Sequence, residues 1–343
     1  MMDSITHALT GVVVAQAIKD EKIGNWGGIA GLAMGFFPDS DFVLGFFNRH
    51  LYLQYHREFT HSLLLIPFYA LFFSWLFVTL SKHRYFWSFY KICLLVLVSH
   101  VLLDLLTSYG TMIFSPFFKN RYAWDLVFIV DLIFSGIIFF PLLVSFIWKK
   151  KGRWICRGAI MGLALYILFC WVQHDQAIKL TKDFSRNLKE EVIQVASLPQ
   201  PLSPFRWANY VETPNKVYQG FVDFLRKKRP THSSASFSFF GRLNTIYYPP
   251  GGMHYQLWEK LQESPWVERA LATEGVKFYY WFARFPVVKS VNSKEGRHRV
   301  EFMDVRFLVQ GIRVPFLYYV ELDDSGKVLS EGFVEDPAKG PKK

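Results

Sequence analysis

Residues 62–80 (SLLLIPFYALFFSWLFVTL) carry no charged side chain. A stretch of roughly 20 apolar residues is what a helix needs to cross about 30 Å of hydrocarbon. Backbone polar groups in lipid must find partners within the protein, so such a stretch is read as a helix. The run is not isolated. Residues 88–106 qualify, with Lys91 near one end and His100 and Asp104 near the other. So do 126–148, containing Asp131, and 155–173, containing Arg157 near its start. Residues 5–18 and 23–38 are apolar but shorter, and they flank the polar turn Lys19-Asp20-Glu21-Lys22. Fourteen residues of helix reach only about 21 Å. These two segments are therefore read as short helices of a hairpin shielded by the longer ones.

Composition matters here for what it excludes. Apolar residues make up 51% of the 343 and charged ones 20%, which rules out a disordered chain or a long coiled coil. The balance of 39 basic against 28 acidic residues, +11, would suggest nucleic acid in a soluble protein. With the apolar residues bunched into long runs, the basic residues instead orient a membrane protein, and no nucleic acid partner is expected. Cys93, Cys156 and Cys170 lie in or at the edge of apolar runs without any CxxC pair. Neither a disulfide framework nor a thiolate zinc site is expected. The extreme N-terminus carries Asp3 and no Lys or Arg, which argues against a cleaved signal peptide.

After Gln173 the texture changes to scattered charge, frequent proline and no cysteine. The expectation is an α-helical multi-pass membrane domain over 1–173, with four spans and two shorter ones, followed by a small α+β or mostly-β soluble domain over 174–343. Residues 174–195 read as a helix leaving the membrane. Phe237–Phe240, Val276–Phe282, Arg299–Val309 and Val314–Leu322 read as strands. Asp323-Asp324-Ser325-Gly326 reads as a hairpin turn into Lys327–Val334, with Pro337–Lys343 frayed.

Lys149, Lys150, Lys151, Arg153 and Arg157 form the densest basic cluster beside a span, which assigns that loop to the cytoplasm. Alternation then makes the loop with Lys82, His83 and Arg84 cytoplasmic as well. Segments 39–61 and 107–125, and the C-terminal domain, face outward.

Ionisable residues in apolar segments are costly, about 2.5–3.5 kcal/mol for a carboxylate at the centre of a membrane helix on insertion scales. They are His7, Asp39, Asp41, His56, Arg57, His61, His100 and Asp104. His100 and Asp104, four apart, project from one helix face. Imidazole and carboxylate together suit zinc and similar divalent ions. Each piece also has a plainer reading: a hydrogen-bonded pair for His100 and Asp104, a helix N-cap for Pro38-Asp39-Ser40-Asp41, a polar helix start for His7. Topology joins them. The orientation set by Lys and Arg alone brings Asp39, Asp41, His56, His61, His100 and Asp104 to one side, and His7 as well if the hairpin of the first two helices is complete, enough for one or two metal ions.

These residues resemble the YdjM/YfhP-type family of membrane-bound, metal-dependent hydrolases. The likeness runs through Met2-Asp3-Ser4-Ile5-Thr6-His7-Ala8-Leu9-Thr10-Gly11, Pro38-Asp39-Ser40-Asp41, His56-Arg57-Glu58-Phe59-Thr60-His61-Ser62 and Ser99-His100-Val101-Leu102-Leu103-Asp104. It continues through Thr107-Ser108-Tyr109-Gly110-Thr111 and Trp124-Asp125-Leu126-Val127-Phe128-Ile129-Val130-Asp131. Glu58 departs from the glycine expected in many members and adds a carboxylate, as an extra ligand or as a tolerated change. The order of His, Asp, His and His-x3-Asp is also similar, more distantly, to zinc-dependent phospholipase C and S1/P1-type nucleases.

The resemblance implies a hydrolase in a bacterial inner or cell membrane, with zinc, or else manganese, as its divalent metal. Its position at the outer surface points to membrane lipids as partners and to a lipid or lipid-linked phosphoester as substrate. Arg57 and Glu58 are the candidate catalytic residues: Arg57 either pairs with a phosphate oxygen through its planar fork or neutralises Asp39, Asp41 or Glu58. Two rivals stand beside this reading, a non-catalytic membrane anchor with a structural metal and a proton- or ion-coupled transporter using His100, Asp104 and Asp131.

Overall fold

In the computed structural model the described residues are 4–18, 20–228, 244–308 and 314–334. The expected strand Phe237–Phe240 and the frayed end at 337–343 lie outside them. The chain divides into two compact units, Met1–Asp175 with Leu198–Pro204, and Gln176–Ser197 with Phe205–Lys343.

The first unit is helical. Helices α1 (Ser4–Ala17) and α2 (Trp26–Phe36) pack against α6 (Phe86–Leu105), which also pairs with α5 (Ile66–Ser81). Short helices α3 (Leu44–Phe47) and α4 (Arg49–Tyr55) link α2 to α5, with 3₁₀ turns at Pro38–Val43 and Phe59–His61. Helix α7 (Leu132–Ile147) follows, and α8 (Gly152–Arg186) begins in this unit and ends in the second.

Glycine sets the closest approach. A Cβ placed on Gly31 would stand 2.5 Å from the Gly11 carbonyl oxygen, and one on Gly35 2.6 Å from that of His7. The backbones of α1 and α2 therefore touch directly, as small residues four apart permit between apolar helices. One buried cluster joins α1, α7 and α8 through Val13, Phe134, Ile138, Cys156, Leu163 and Cys170. Another joins α2, α5 and α6 through Ala30, Met34, Ala70, Phe89, Val96 and Leu97. On α8 the buried residues Cys156, Ala159, Leu163, Tyr166 and Cys170 recur at alternating intervals of three and four, one helical stripe.

Among the described residues, two helices are long and apolar enough to cross a membrane, α6 and the one ending at Arg186, or up to four if two bent pairs each count as one. The first pair is Trp26–Phe36 with Pro38–Phe47, bent by 44°, and the second is Arg49–His61 with Ile66–Ser81, bent by 76°. The expected run 126–148 is helical only from Leu132. Asp131 caps that helix, its Oδ1 accepting from the Ile133 and Phe134 amides at 2.9 Å, and its other oxygen accepts from Tyr166 at 2.6 Å. The residues before it turn instead, with the Trp124, Leu126 and Val127 amides bonded to the carbonyls of Leu105 and Leu106.

One end of this unit is basic. Ser88 at the start of α6 hydrogen-bonds Asp20, and Arg157 Nε donates to the Ala17 carbonyl at the end of α1, 3.0 Å away. The loops holding Lys82, Arg84 and Lys149–Lys151 thus share an end with the close of α1. His7, Asp104 and their neighbours occupy the other, about 24 Å along α6 at 1.5 Å per residue.

The second unit is sheet-rich. One four-stranded sheet has the order β1 (Gln194–Pro199), β2 (Arg206–Glu212), β3 (Lys216–Asp223), β4 (Tyr255–Glu259). The other orders β5 (Pro286–Lys294), β6 (Arg297–Asp304), β7 (Tyr318–Asp323), β8 (Val328–Phe333). Alternate residues of β7, Tyr318, Val320 and Leu322, are buried against α9 (Pro265–Leu271) and α10 (Glu274–Phe282). The expected turn Asp323–Gly326 joins β7 to β8, with the Gly326 amide bonded to the Asp323 carbonyl at 2.8 Å.

The expected strand Val276–Phe282 is helix α10. Its aromatic content suggested a strand, but Thr273 caps it by accepting from the Val276 amide, and Val276, Tyr279 and Phe282 are buried at helical spacing. The helix expected over 174–195 stops at Arg186, and β1 begins at Gln194.

Candidate metal centre

Helix α6 supplies two of the site's side chains. His100 and Asp104 lie one turn apart on its buried face, with Nε2 to Oδ2 at 3.4 Å. The backbone contact between α1 and α2 brings His7 beside them, its ring stacked on that of His100 at 3.8 Å and its Nε2 3.2 Å from Asp104 Oδ1. The 3₁₀ turn after α2 contributes Asp39 and Asp41. The stretch from the end of α4 contributes His56, Arg57, Glu58 and His61.

Donor atoms of Asp39, His61, His100 and Asp104 all lie within 4.8 Å of one another. None of the four residues is more than 2% exposed. His61 Nε2 is 2.9 Å from Asp104 Oδ2, 3.9 Å from Asp39 Oδ1 and 3.3 Å from His100 Nε2. The remaining three expected ligands surround this group. His7 reaches it through Asp104. Asp41 sits one step back, with Oδ1 2.9 Å from His56 Nδ1 and Oδ2 accepting from the Arg57 amide at 2.9 Å.

Ring tautomers follow from these partners. The Gly35 carbonyl can only accept, so His100 Nδ1, 2.8 Å away, carries the proton and its Nε2 presents a lone pair to the cluster. His56 is fixed in the same way by Asp41, and its Nε2 is buried with no hydrogen bond. Both oxygens of Asp39 are buried without a hydrogen bond as well. Lone pairs converging on buried carboxylates repel unless a cation lies among them, so the donor set fits a divalent ion. Mixed imidazole and carboxylate donors suit zinc, and manganese also accepts them.

Arg57 is the largest charged side chain buried here, fully enclosed and with φ of 62°. Its Nη2 is 2.5 Å from Asp104 Oδ1, and Nη1 donates to Thr107 Oγ1 at 3.2 Å. Tyr109 lies under its guanidinium at 5.1 Å and packs edge-on to His56. Its side-chain carboxylate partner is thus Asp104, not Asp39, Asp41 or Glu58. Glu58 stands outside the four-donor group: its Oε1 is 3.3 Å from Ser115 Oγ and 3.4 Å from Lys119 Nζ. Asp131, used as a cap and by Tyr166, takes no part.

Sequence reasoning missed the Gly35 carbonyl; the Thr107 hydroxyl and the Tyr109 ring belong to the stretch after Asp104 that the sequence offered either as pocket lining or as a plain turn, and they do meet Arg57. Only the recurrence of Gly27, Gly31 and Gly35 pointed toward that carbonyl.

The model of the YdjM inner membrane protein family matches residues 2–177, which takes in every residue of this cluster. The uncharacterized protein YfhP of Bacillus subtilis (strain 168) is 28% identical over 234 residues, 64% of this chain and 68% of that protein. No solved structure matches. With more than half of its residues matched, the chain belongs to the YdjM inner membrane protein family.

Proposed function

We propose that this protein is a membrane-bound, metal-dependent hydrolase acting at the outer membrane surface on a lipid or lipid-linked phosphoester. The observation that carries the reading is the buried convergence of Asp39, His61, His100 and Asp104 within 4.8 Å. A divalent ion held there supplies Lewis acidity, polarising a phosphoryl or carbonyl oxygen and acidifying water. The chain's own residues set the frame. Gly35 and Asp41 fix the tautomers of His100 and His56, Arg57 holds Asp104 in place, and His56 presents an open Nε2 with its ring 6.2 Å from that of His61.

The lipid-phase substrate draws support from what flanks the donors. Phe46 and Phe47, which follow Asp41, and Phe117 and Phe118, which adjoin Lys119, are each more than 60% exposed. Exposed phenylalanines so placed suit burial just below the headgroups, among the upper acyl carbons. The basic loops at the far end of the helices support an outward-facing site and, counting four spans and two short helices, a C-terminal unit outside the cytoplasm.

Metal content of the detergent-purified protein, measured by mass spectrometry beside His100→Ala and Asp104→Ala, tests the reading. One or two equivalents of zinc or manganese, lost in both variants, are expected, followed by hydrolysis in a screen of lipid phosphoesters. Metal-free wild type under non-chelating conditions overturns it. A second reading rests on the completeness of burial: a structural ion has its coordination filled by protein, so a stably bound metal inert to every phosphoester would make this site structural.

A further inference from the structure

The basic turn between α7 and α8 has no part in the metal centre. Between Asp131 and Asp175 the chain has no acidic residue and five Lys or Arg, three of them consecutive at Lys149–Lys151. Those three form a 3₁₀ turn, all are exposed, and none makes an ion pair among the described residues. Together with Ile147 and Trp148 they line a cavity of about 480 Å³. Trp148 and Trp154 on either side are 63% and 69% exposed.

A helix C-terminus needs at most one nearby cation for its dipole. Here three stand around a recess whose wall carries an indole and an isoleucine. Interfacial tryptophans place it at headgroup depth, and the uncompensated ammonium groups call for negative charge at that same depth.

We infer that the turn Lys149–Lys151 is a binding site for the phosphodiester headgroup of an anionic bilayer phospholipid. The ammonium groups pair with the phosphate, and Trp148 and Ile147 pack on the glycerol and upper acyl carbons. The assignment is independent of whether the metal centre is catalytic.

Native mass spectrometry of the full chain in detergent, titrated with phosphatidylglycerol or phosphatidylcholine, tests it. Wild type is expected to retain phosphatidylglycerol at least about tenfold more strongly, with the preference lost in Lys149→Gln/Lys150→Gln/Lys151→Gln. The triple arginine variant is expected to keep the preference, separating charge from folding. An unchanged melting temperature of the glutamine variant shows that the helical unit remains intact. Equal retention of both lipids by wild type, or undiminished preference in the glutamine variant, overturns the proposal. So does saturation by glycerol phosphate without acyl chains.

Discussion

Arg57 and Asp104 form an ion pair in which neither side chain reaches solvent. A carboxylate shared among His7, His61, His100 and a guanidinium is held whatever the occupancy of the centre. Replacing Arg57 with Met leaves that carboxylate buried without its fixed cation, a loss of about 3–5 kcal/mol for such pairs. The expected result is a protein whose melting temperature falls sharply in chelator and recovers in part when zinc is added. A variant equally stable with and without metal would mean that Arg57 does not compensate the cluster.

Asp41 borders the cluster, with Oδ2 3.9 Å from His61 Nδ1, and holds His56 and the Arg57 amide. Asp41→Asn keeps its size but weakens its hold on His56 Nδ1 and on the Arg57 amide. Metal affinity should drop about 10- to 100-fold, the usual effect of removing a partner that orients ligands. Asp39→Asn removes a donor and should lose more. Competition against a chromophoric chelator gives the order, and equal losses would place Asp41 in the donor set.

Gly35→Ala tests the close approach of α1 and α2. The added methyl meets the His7 carbonyl and forces the helices apart, at a cost of about 1–3 kcal/mol. His7 should shift from His100, so metal retention and melting temperature should fall together. Gly158→Ala, inside α8 with open space around its Cβ, serves as the control expected to lower neither.

In the second unit, pH acts through Arg299, which bonds Glu301 at 3.1 Å and Glu321 at 3.1 Å. Burial raises the pKa of Glu301, but Lys289 and Arg299 outweigh it and hold the carboxyl low. For Glu321 a hydrogen bond from Ser330 leads the lowering, with Arg299 adding to it. A carboxylate lowered on folding contributes stability above its unfolded pKa and loses it as pH falls through the folded value. Arg299→Met should therefore cost about 1 kcal/mol or less near neutrality and nothing once both glutamates are protonated. Hydrogen exchange of β6 and β7 across pH 3–7, roughly the carboxylate range, measures it.

Much of this organisation is legible in the residues. The four-residue spacing of His100 and Asp104 places both on one helix face, and the ionisable candidates singled out for their apolar settings do gather around that face. What escapes is set by tertiary partners. Whether Asp41 donates or orients depends on a histidine fifteen residues away, and Arg57's choice of Asp104 depends on helix α6. Local composition also misleads. Phe278–Phe282 is as aromatic as a strand, yet the Thr273 cap and the sheet beneath it make it a helix. Trp124–Val130 is as apolar as a span, yet it folds back onto the last carbonyls of α6.

The bond from Arg157 to the Ala17 carbonyl has a consequence for how a bilayer accommodates this fold. A helix of 14 residues reaches about 21 Å, less than the nonpolar layer is thick, and leaves its last carbonyls without intrahelical partners. A guanidinium borrowed from a neighbouring helix meets one of them. That ties the closing turn of α1 to α8 beside the basic loops, so a neighbour's side chain makes up for the helix's short reach and its register can follow where His7 must stand.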